Sequence, residues 1–329
     1  MDVLEMAREN PITLDLKDID ENPGPCCMSF GFDLGPLIRS IEKFGLINSP
    51  VVAKEGEGRV DVVTGYRRIL ALKSLKWKKI PCRDLSESGL SPLQLLLFNL
   101  YDNLATREFN EVEKGMILNR LIPYVPREEI TKDYMPLLDL PSHESTLDIF
   151  LKMEELEHPL KESLAKGRIS LQAIKPLMET GLDSRSALFE WIMNLNFNFN
   201  QQLQFIEYTL DLSIKEEREI SELLGQKQFS SILGDEKLNN PQKAKLVLDL
   251  LRSKRFPSLA RSEKTFQKQI SSLSLPNGTT ISHPPYFEGS NYRLEVLFKH
   301  GKELKEKINA LLRVSGLKRL GNPWEEEDL

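Results

Sequence analysis

VDVVTGYRRILALKSLKWKKIP, residues 60–81, changes its hydrophobic period in the middle. Apolar residues alternate up to Thr64-Gly65, as on a half-buried strand, and Ile69, Leu72 and Leu75 then recur at helical spacing. A strand, a glycine turn and a helix start present backbone N–H groups and a positive dipole end to an anion. Arg67 and Arg68 stand in the first turn, and their planar forks match phosphate oxygens. Arginine pairs in a first helical turn are also commonly solvated, so the stretch alone leaves both a phosphate site and a plain surface turn open.

Working outward, ITLDLKDIDENPGP alternates Ile12, Leu14 and Leu16 before a turn at Asn22-Pro23, which predicts a strand and a loop. Leu34, Leu37, Ile38, Ile41 and Phe44 share one helical face, and Gly45 ends that helix. SPVVAKEGEGRVDVVTG predicts two short strands around a charged glycine turn, and KKIPCRDL one more strand. Ser91-Pro92 is a helix start, followed by the apolar LQLLLFNLYDNL. From Glu111 to about Leu250 strand signals nearly vanish and apolar residues recur at three and four, which predicts a helical region. β character returns in QISSLSLPNGTTISHPPYFEGSNYRLEVLF, with an Asn-Gly turn and an alternating run from Tyr292 to Phe298, and a helix from His300 closes the chain before the acidic GNPWEEEDL.

The fold class expected is therefore α+β and multidomain: a small α/β domain over residues 1–110, an all-α domain over 111–240, a C-terminal α+β module over 241–320 and an acidic tail over 321–329. A length of 329 residues exceeds one ordinary core. With 40% hydrophobic and 28% charged residues the composition is globular, and no apolar run approaches the roughly 18 residues of a membrane span. The charge-broken start MDVLEMAREN is neither a signal nor a transit peptide, so the expected location is cytoplasmic. Cys26, Cys27 and Cys82 lack paired spacing and the four histidines are scattered, which argues against a disulfide framework or a structural metal.

A net charge of −5 argues against nucleic-acid binding over the whole surface, but the charge is unevenly spread. Residues 67–83 hold seven basic side chains and no acidic one; residues 243–268 hold eight against Asp249 and Glu263. Either cluster could contact DNA, and for the second a solvated surface stands equally open.

Three segments resemble, in order and spacing, the three N-terminal boxes of ParB-type partition proteins: LIRSIEKFGLINSPVV, VVTGYRRILAL and LYDNLATREFNEVEKG. The likeness continues through LPSHESTLDIFLKMEELEHPLKESLAKGRISLQAIKPL, similar to the family's helix-turn-helix and the helical segment after it, with Gly167-Arg168-Ile169-Ser170 carrying the match. The resemblance implies a ParB/sulfiredoxin-like nucleotide domain, a helix-turn-helix middle domain and a C-terminal module that dimerises. It implies CTP and Mg²⁺ as cofactors and a clamp that closes on DNA, with the chain associated with the nucleoid. As partners it implies DNA, a second copy and a partition ATPase or other protein, with no membrane. Carried over by position, Gly65, Tyr66, Arg67, Arg68 and Asn48 fall on the phosphate and nucleotide boxes, and Asp102 and Asn103 on the Mg²⁺ position.

Three positions depart from the boxes: Tyr66 stands for Glu, Asn48 for Gln and Thr106 for Arg. The Gln position is linked with hydrolysis in the family, so the resemblance implies nucleotide binding more than a weak CTPase activity. The presumed recognition helix offers Ser142, His143 and Thr146 to DNA but also carries Glu144 and Asp148, and Lys254 and Arg255 of the second basic cluster are further DNA candidates. Sulfiredoxin chemistry is excluded because Tyr66 stands where its nucleophilic cysteine would be. A kinase or nuclease of the same fold, and a nucleotide-independent adaptor that docks a partner through Trp324 and the acidic tail, are the other readings.

Overall fold

A computed structural model describes residues 10–19, 23–55, 59–287 and 291–320. Backbone contacts divide the chain into two units, Met1–Gly181 and Leu182–Leu329. The acidic tail and Trp324 lie outside the described residues.

The first unit begins with β1 (Asn10–Asp15), α1 (Gly35–Phe44), β2 (Val51–Glu55), β3 (Arg59–Thr64), α2 (Tyr66–Ser74), β4 (Lys79–Asp84) and α3 (Pro92–Leu104). Its sheet runs β1-β4-β2-β3, with β1/β4 and β2/β3 antiparallel and β2/β4 parallel. A parallel pair needs a crossover, and α2 supplies it by returning the chain from β3 to β4 beside β2. Strand alternation sends neighbouring valines to opposite faces. Val52, Val62, Ile80 and Cys82 pack with Ile41 of α1 and Ile69 and Leu72 of α2, while Val51, Ala53 and Val63 pack with Leu95 and Phe98 of α3. A Ser91–Gln94 capping box starts α3.

Between β1 and α1, residues 26–28 are buried and Ser29 and Phe30 half-buried, yet the stretch is irregular, so its backbone needs partners other than a ladder. Side chains supply them: Asn99 Nδ2 donates to the carbonyl of Cys26, Arg107 Nη2 to that of Met28 at 2.6 Å, and Asn110 Nδ2 to that of Phe30 at 2.9 Å. The three cysteines are buried and free, and burial pushes the Cys26 and Cys82 thiols up to about 11, which keeps them protonated near neutral pH.

The same unit continues as α4 (Glu111–Leu121), α5 (Arg127–Glu129), α6 (Glu144–Lys152), α7 (His158–Ala165) and α8 (Leu171–Met178). Helix α4 is the centre of this helical part, with Val112, Ile117, Leu118 and Leu121 buried and α6 and α7 packed against it. The approach of α6 is fixed by Gly115, where an added Cβ would lie 2.9 Å from the Phe150 carbonyl oxygen. Gly115→Ala improves local helix propensity but drives a methyl into backbone, so a net loss of about 1–3 kcal/mol is expected in urea unfolding. A gain in stability would show that the two helices part without cost.

The second unit holds α9 (Leu182–Leu195), α10 (Phe199–Glu216), α11 (Ile220–Leu224), α12 (Lys227–Gly234), α13 (Asn240–Arg255), α14 (Pro257–Ser272), β5 (Thr279–Ser282), β6 (Arg293–Val296) and α15 (Gly301–Leu311). Trp191 stacks on Phe205 at 6.2 Å and meets Phe229 edge-on at 6.0 Å, which ties α9, α10 and α12 together. The C-terminal β structure differs from its sequence expectation. Asn277-Gly278 does not join the two strands but precedes β5, with Gly278 at φ 75°, while Gln269–Ser272 remains in α14. β5 and β6 pair antiparallel across a longer connection that includes the short helix Pro285–Phe287.

Candidate phosphate-binding cleft

Gly65 sits at φ 90°, ψ 20°, between β3 and α2. A Cβ there would lie 3.0 Å from both the Cα and Cβ of Pro50, so the turn is closed against its neighbour and only glycine fits without strain. The first turn of α2 faces a cleft of about 650 Å³, a size ordinary for a small-molecule site. Gly65, Tyr66, Arg67 and Arg68 line it, with Asn48 and Ser49 on one side and Asp102 and Asn103 on another. The nucleotide and metal candidates from the sequence therefore share one cleft.

The two box arginines have different jobs. Arg68 Nη1 donates at 3.2 Å to the carbonyls of Asn48 and Ser49, which tethers the loop after α1 to α2. Arg67 Nη2 pairs with Glu113 Oε1 at 2.6 Å, and its Nε donates to Ser29 Oγ at 3.2 Å. Burial lowers both guanidiniums from their ordinary value; Glu113 opposes this at Arg67 and Asp102 at Arg68. Arginine remains charged regardless. Tyr66, in place of the box Glu, meets the Phe32 ring edge-on at 6.3 Å, and Arg67 lies over the same ring at 4.7 Å.

Glu113 is the hub beneath this floor. Its side chain is 1% exposed, and besides Arg67 it pairs with Arg107 Nη1 through Oε2 at 2.6 Å. Its two oxygens also accept from the backbone N–H of Phe30 and Asn110 at 3.1 and 3.2 Å. The latter bond closes the Asn110–Glu113 capping box that starts α4. Arg107 in turn donates through Nε to Asn103 Oδ1 at 2.7 Å, and Asn103 Nδ2 donates to the Asn99 carbonyl at 2.9 Å.

Arg83, Asn99 and Arg107 also line the cleft and were not among the sequence candidates. Asn99 and Asn103, four residues apart, share one face of α3, and Arg107 follows four residues later just beyond the helix end, a spacing that could have drawn attention to them. Arg107 stands one residue beyond Thr106, the position where the ParB box has Arg, and it returns a guanidinium to the cleft. Thr106 instead directs Oγ1 to the carbonyls of Asp102 and Asn103.

The DNA candidates lie elsewhere. His143 is the N-cap of α6, and it and Ser142 are exposed, with Thr146 half-buried. Glu144 and Asp148, the acids on that helix, are both engaged by Arg127 at 2.5 Å. In the second unit Arg255 pairs with Glu207 at 2.9 Å and with Asp211, and Lys254 donates to Gln226 Oε1 at 3.0 Å and lies 3.8 Å from Glu216. Both end α13 as partners of α10 side chains, and Lys254 also of Gln226 just before α12.

The fold and the cleft define an α/β domain with an arginine-lined cleft, continued by a helical region. The family model of the ParB N-terminal domain matches residues 3–93. The nucleoid occlusion protein of Bacillus subtilis (strain 168) is 27% identical over 153 residues, 44% of this chain and 50% of that protein. The nucleoid occlusion protein of Halalkalibacterium halodurans is 23% identical over 178 residues, 53% of this chain and 59% of that protein. The matched region thus spans about half the length of these curated relatives. A crystal structure of C-terminally truncated chromosome-partitioning protein ParB from Caulobacter crescentus, complexed to the centromeric parS site, aligns with 16% identity and a TM-score of 0.31. That alignment covers 58% of this chain and 96% of the solved one.

Proposed function

We propose that the cleft binds a nucleoside triphosphate, CTP by the family resemblance, and that the chain is a ParB-like, nucleoid-associated DNA-binding protein of the partition and nucleoid occlusion kind. The observation that carries this reading is the convergence of Arg67, Arg68, Arg83 and Arg107 on one cleft floored by the glycine turn and the N-terminus of α2. Four guanidiniums on one small cavity match a polyanion better than any neutral ligand. Gly65 lets phosphate and backbone approach closely, and the four Arg67 and Arg107 contacts to Glu113, Ser29 and Met28 fix those forks before a ligand arrives.

The residues present fit Mg²⁺ through one carboxylate. Asp102 is exposed beside the cleft, and Mg²⁺ in nucleotide sites takes one or two carboxylates together with phosphate oxygens and water. Asn103 is already committed through both ends of its amide, to Arg107 and Asn99, and serves as a positioning residue. The metal would neutralise phosphate charge when bound. Asn48, on the cleft, occupies the position the family links with hydrolysis, so binding rather than rapid turnover is the expected activity.

DNA contact is assigned to the start of α6, where Ser142 and His143 are exposed and the two acids of the helix are neutralised by Arg127. A second copy completes the reading: nucleotide favours a closed dimer by binding it more tightly than the open arrangement. Calorimetry with CTP, ATP and GTP in the presence of Mg²⁺ is the test. One nucleotide should bind, and Arg68→Ala should weaken it about tenfold or more, since a charge-assisted bond to phosphate contributes roughly 1.5–3 kcal/mol. Binding of none of the three would put the adaptor reading ahead.

A further inference from the structure

The far end of α2 carries charge that the fold does not use. Lys76, Trp77, Lys78 and Lys79 are all exposed, Trp77 at 38%. The helix ends in a Schellman motif, with the N–H of Lys76 bonded to the Lys73 carbonyl at 2.9 Å and that of Trp77 to the Leu72 carbonyl at 3.1 Å. The left-handed position of that motif ordinarily falls to glycine, yet here Lys76 occupies it at φ 58°. A second anchor follows at once, where Leu16 N–H donates to the Lys78 carbonyl at 2.9 Å and Lys79 enters β4 opposite Asp15. The loop is therefore held at both ends with its side chains outward.

Its lysines differ in one respect from the basic residues at the end of α13 in the other cluster. Arg252, Lys254 and Arg255 are matched by Glu263, Glu216, Glu207 and Asp211. Among the described residues, no carboxylate lies within ion-pair distance of Lys76, Lys78 or Lys79. The helix dipole favours cations near its last turn, which accounts for Lys73 and Lys76 but not for Lys78 and Lys79 beyond the end. Three unpaired ammoniums around one half-exposed aromatic ring present a surface suited to phosphates.

We infer that the Lys76–Lys79 loop is a sequence-independent contact to the DNA phosphate backbone, separate from α6. This deepens the DNA reading above and rests on it. An anionic membrane is the less fitting partner, because interfacial binding needs a broad apolar face and this loop offers one ring flanked by charge. The nine-residue length of α2 places the loop roughly 13 Å from the cleft turn, so loop substitutions should leave nucleotide binding intact.

The experiment uses the full chain and the triple variant K76Q/K78Q/K79Q, with duplex DNA of unrelated sequence titrated by fluorescence anisotropy between 50 and 200 mM salt. Each lost phosphate contact removes about 0.9 from the slope of log affinity against log salt, so the variant's slope should be shallower by about 2–3 and its affinity at low salt lower by about tenfold or more. Triple Lys→Arg should restore both. CTP calorimetry on the same variant should match wild type, which separates loss of contact from loss of fold. Wild-type DNA binding with an unchanged slope in the glutamine variant would overturn the inference and leave the DNA reading standing. Absence of wild-type DNA binding at every salt would overturn both, and loop-dependent binding to phosphatidylserine vesicles without DNA binding would reassign the loop to membranes.

Discussion

Glu113→Ala will destabilise the chain by about 3 kcal/mol, with 5 as the upper end for a buried ion pair that loses one partner. The side chain is 1% exposed, and Arg67, Arg107 and two backbone N–H groups replace water around its carboxylate oxygens. Removal leaves those donors facing each other across a cavity. Arg67 and Arg107 are 32% and 18% exposed and can partly turn toward solvent, which holds the loss near the lower figure. The Phe30 and Asn110 N–H groups are fixed in the backbone and cannot turn, and α4 loses one half of its capping box. Urea unfolding of the full chain reads the effect directly. A loss below about 1 kcal/mol, the worth of an exposed ion pair, would show that the hub adds nothing beyond surface electrostatics. Glu113→Gln keeps the shape but sets an amide N–H against one guanidinium, so it should recover only part of the loss.

That hub was only half legible in the sequence. Asn110 and Glu113 carry the spacing of a capping box, and the start of α4 follows from them by local chemistry. The strand, glycine and helix of residues 60–74 were likewise local, since a change from period two to period 3.6 is written in adjacent residues. Nothing local joins Arg67 to Glu113 across 46 positions, or Arg107 to the Met28 carbonyl across 79. Those bonds depend on the strand order, which places the irregular 26–30 segment beside α3 and leaves its carbonyls to be met by side chains. The box arginines are adjacent in the sequence and look alike there, but Arg68 tethers the Asn48 loop and Arg67 holds the hub. The misplaced C-terminal turn has a similar origin: Asn-Gly signals a reversal, but which strands it separates depends on Phe266, Phe287 and Tyr292 packing together, with Phe266 and Tyr292 stacked at 5.6 Å.

Gly65→Val should do what Arg68→Ala does not, by removing ligand binding and fold stability together. Two separate penalties act at this position. A β-branched residue at φ 90° is strained wherever it occurs, at a cost of about 1–3 kcal/mol. Its Cβ also meets Pro50 at 3.0 Å, and relief requires either β3 to shift or the Asn48–Pro50 loop to move away from Arg68. Either adjustment displaces the first turn of α2, where the proposed phosphates must approach the backbone. Stability should fall by about 2 kcal/mol or more, and nucleotide binding should be undetectable at concentrations that saturate wild type. Arg68→Ala is the contrast, because it leaves the turn in place and should lower affinity about tenfold or more while costing far less stability. Calorimetry at a temperature where thermal unfolding shows both variants folded separates the two effects. If Gly65→Val binds CTP as wild type does, the phosphates do not lie on this turn, and the convergence of four arginines there would serve only to hold α2 against the segments around it.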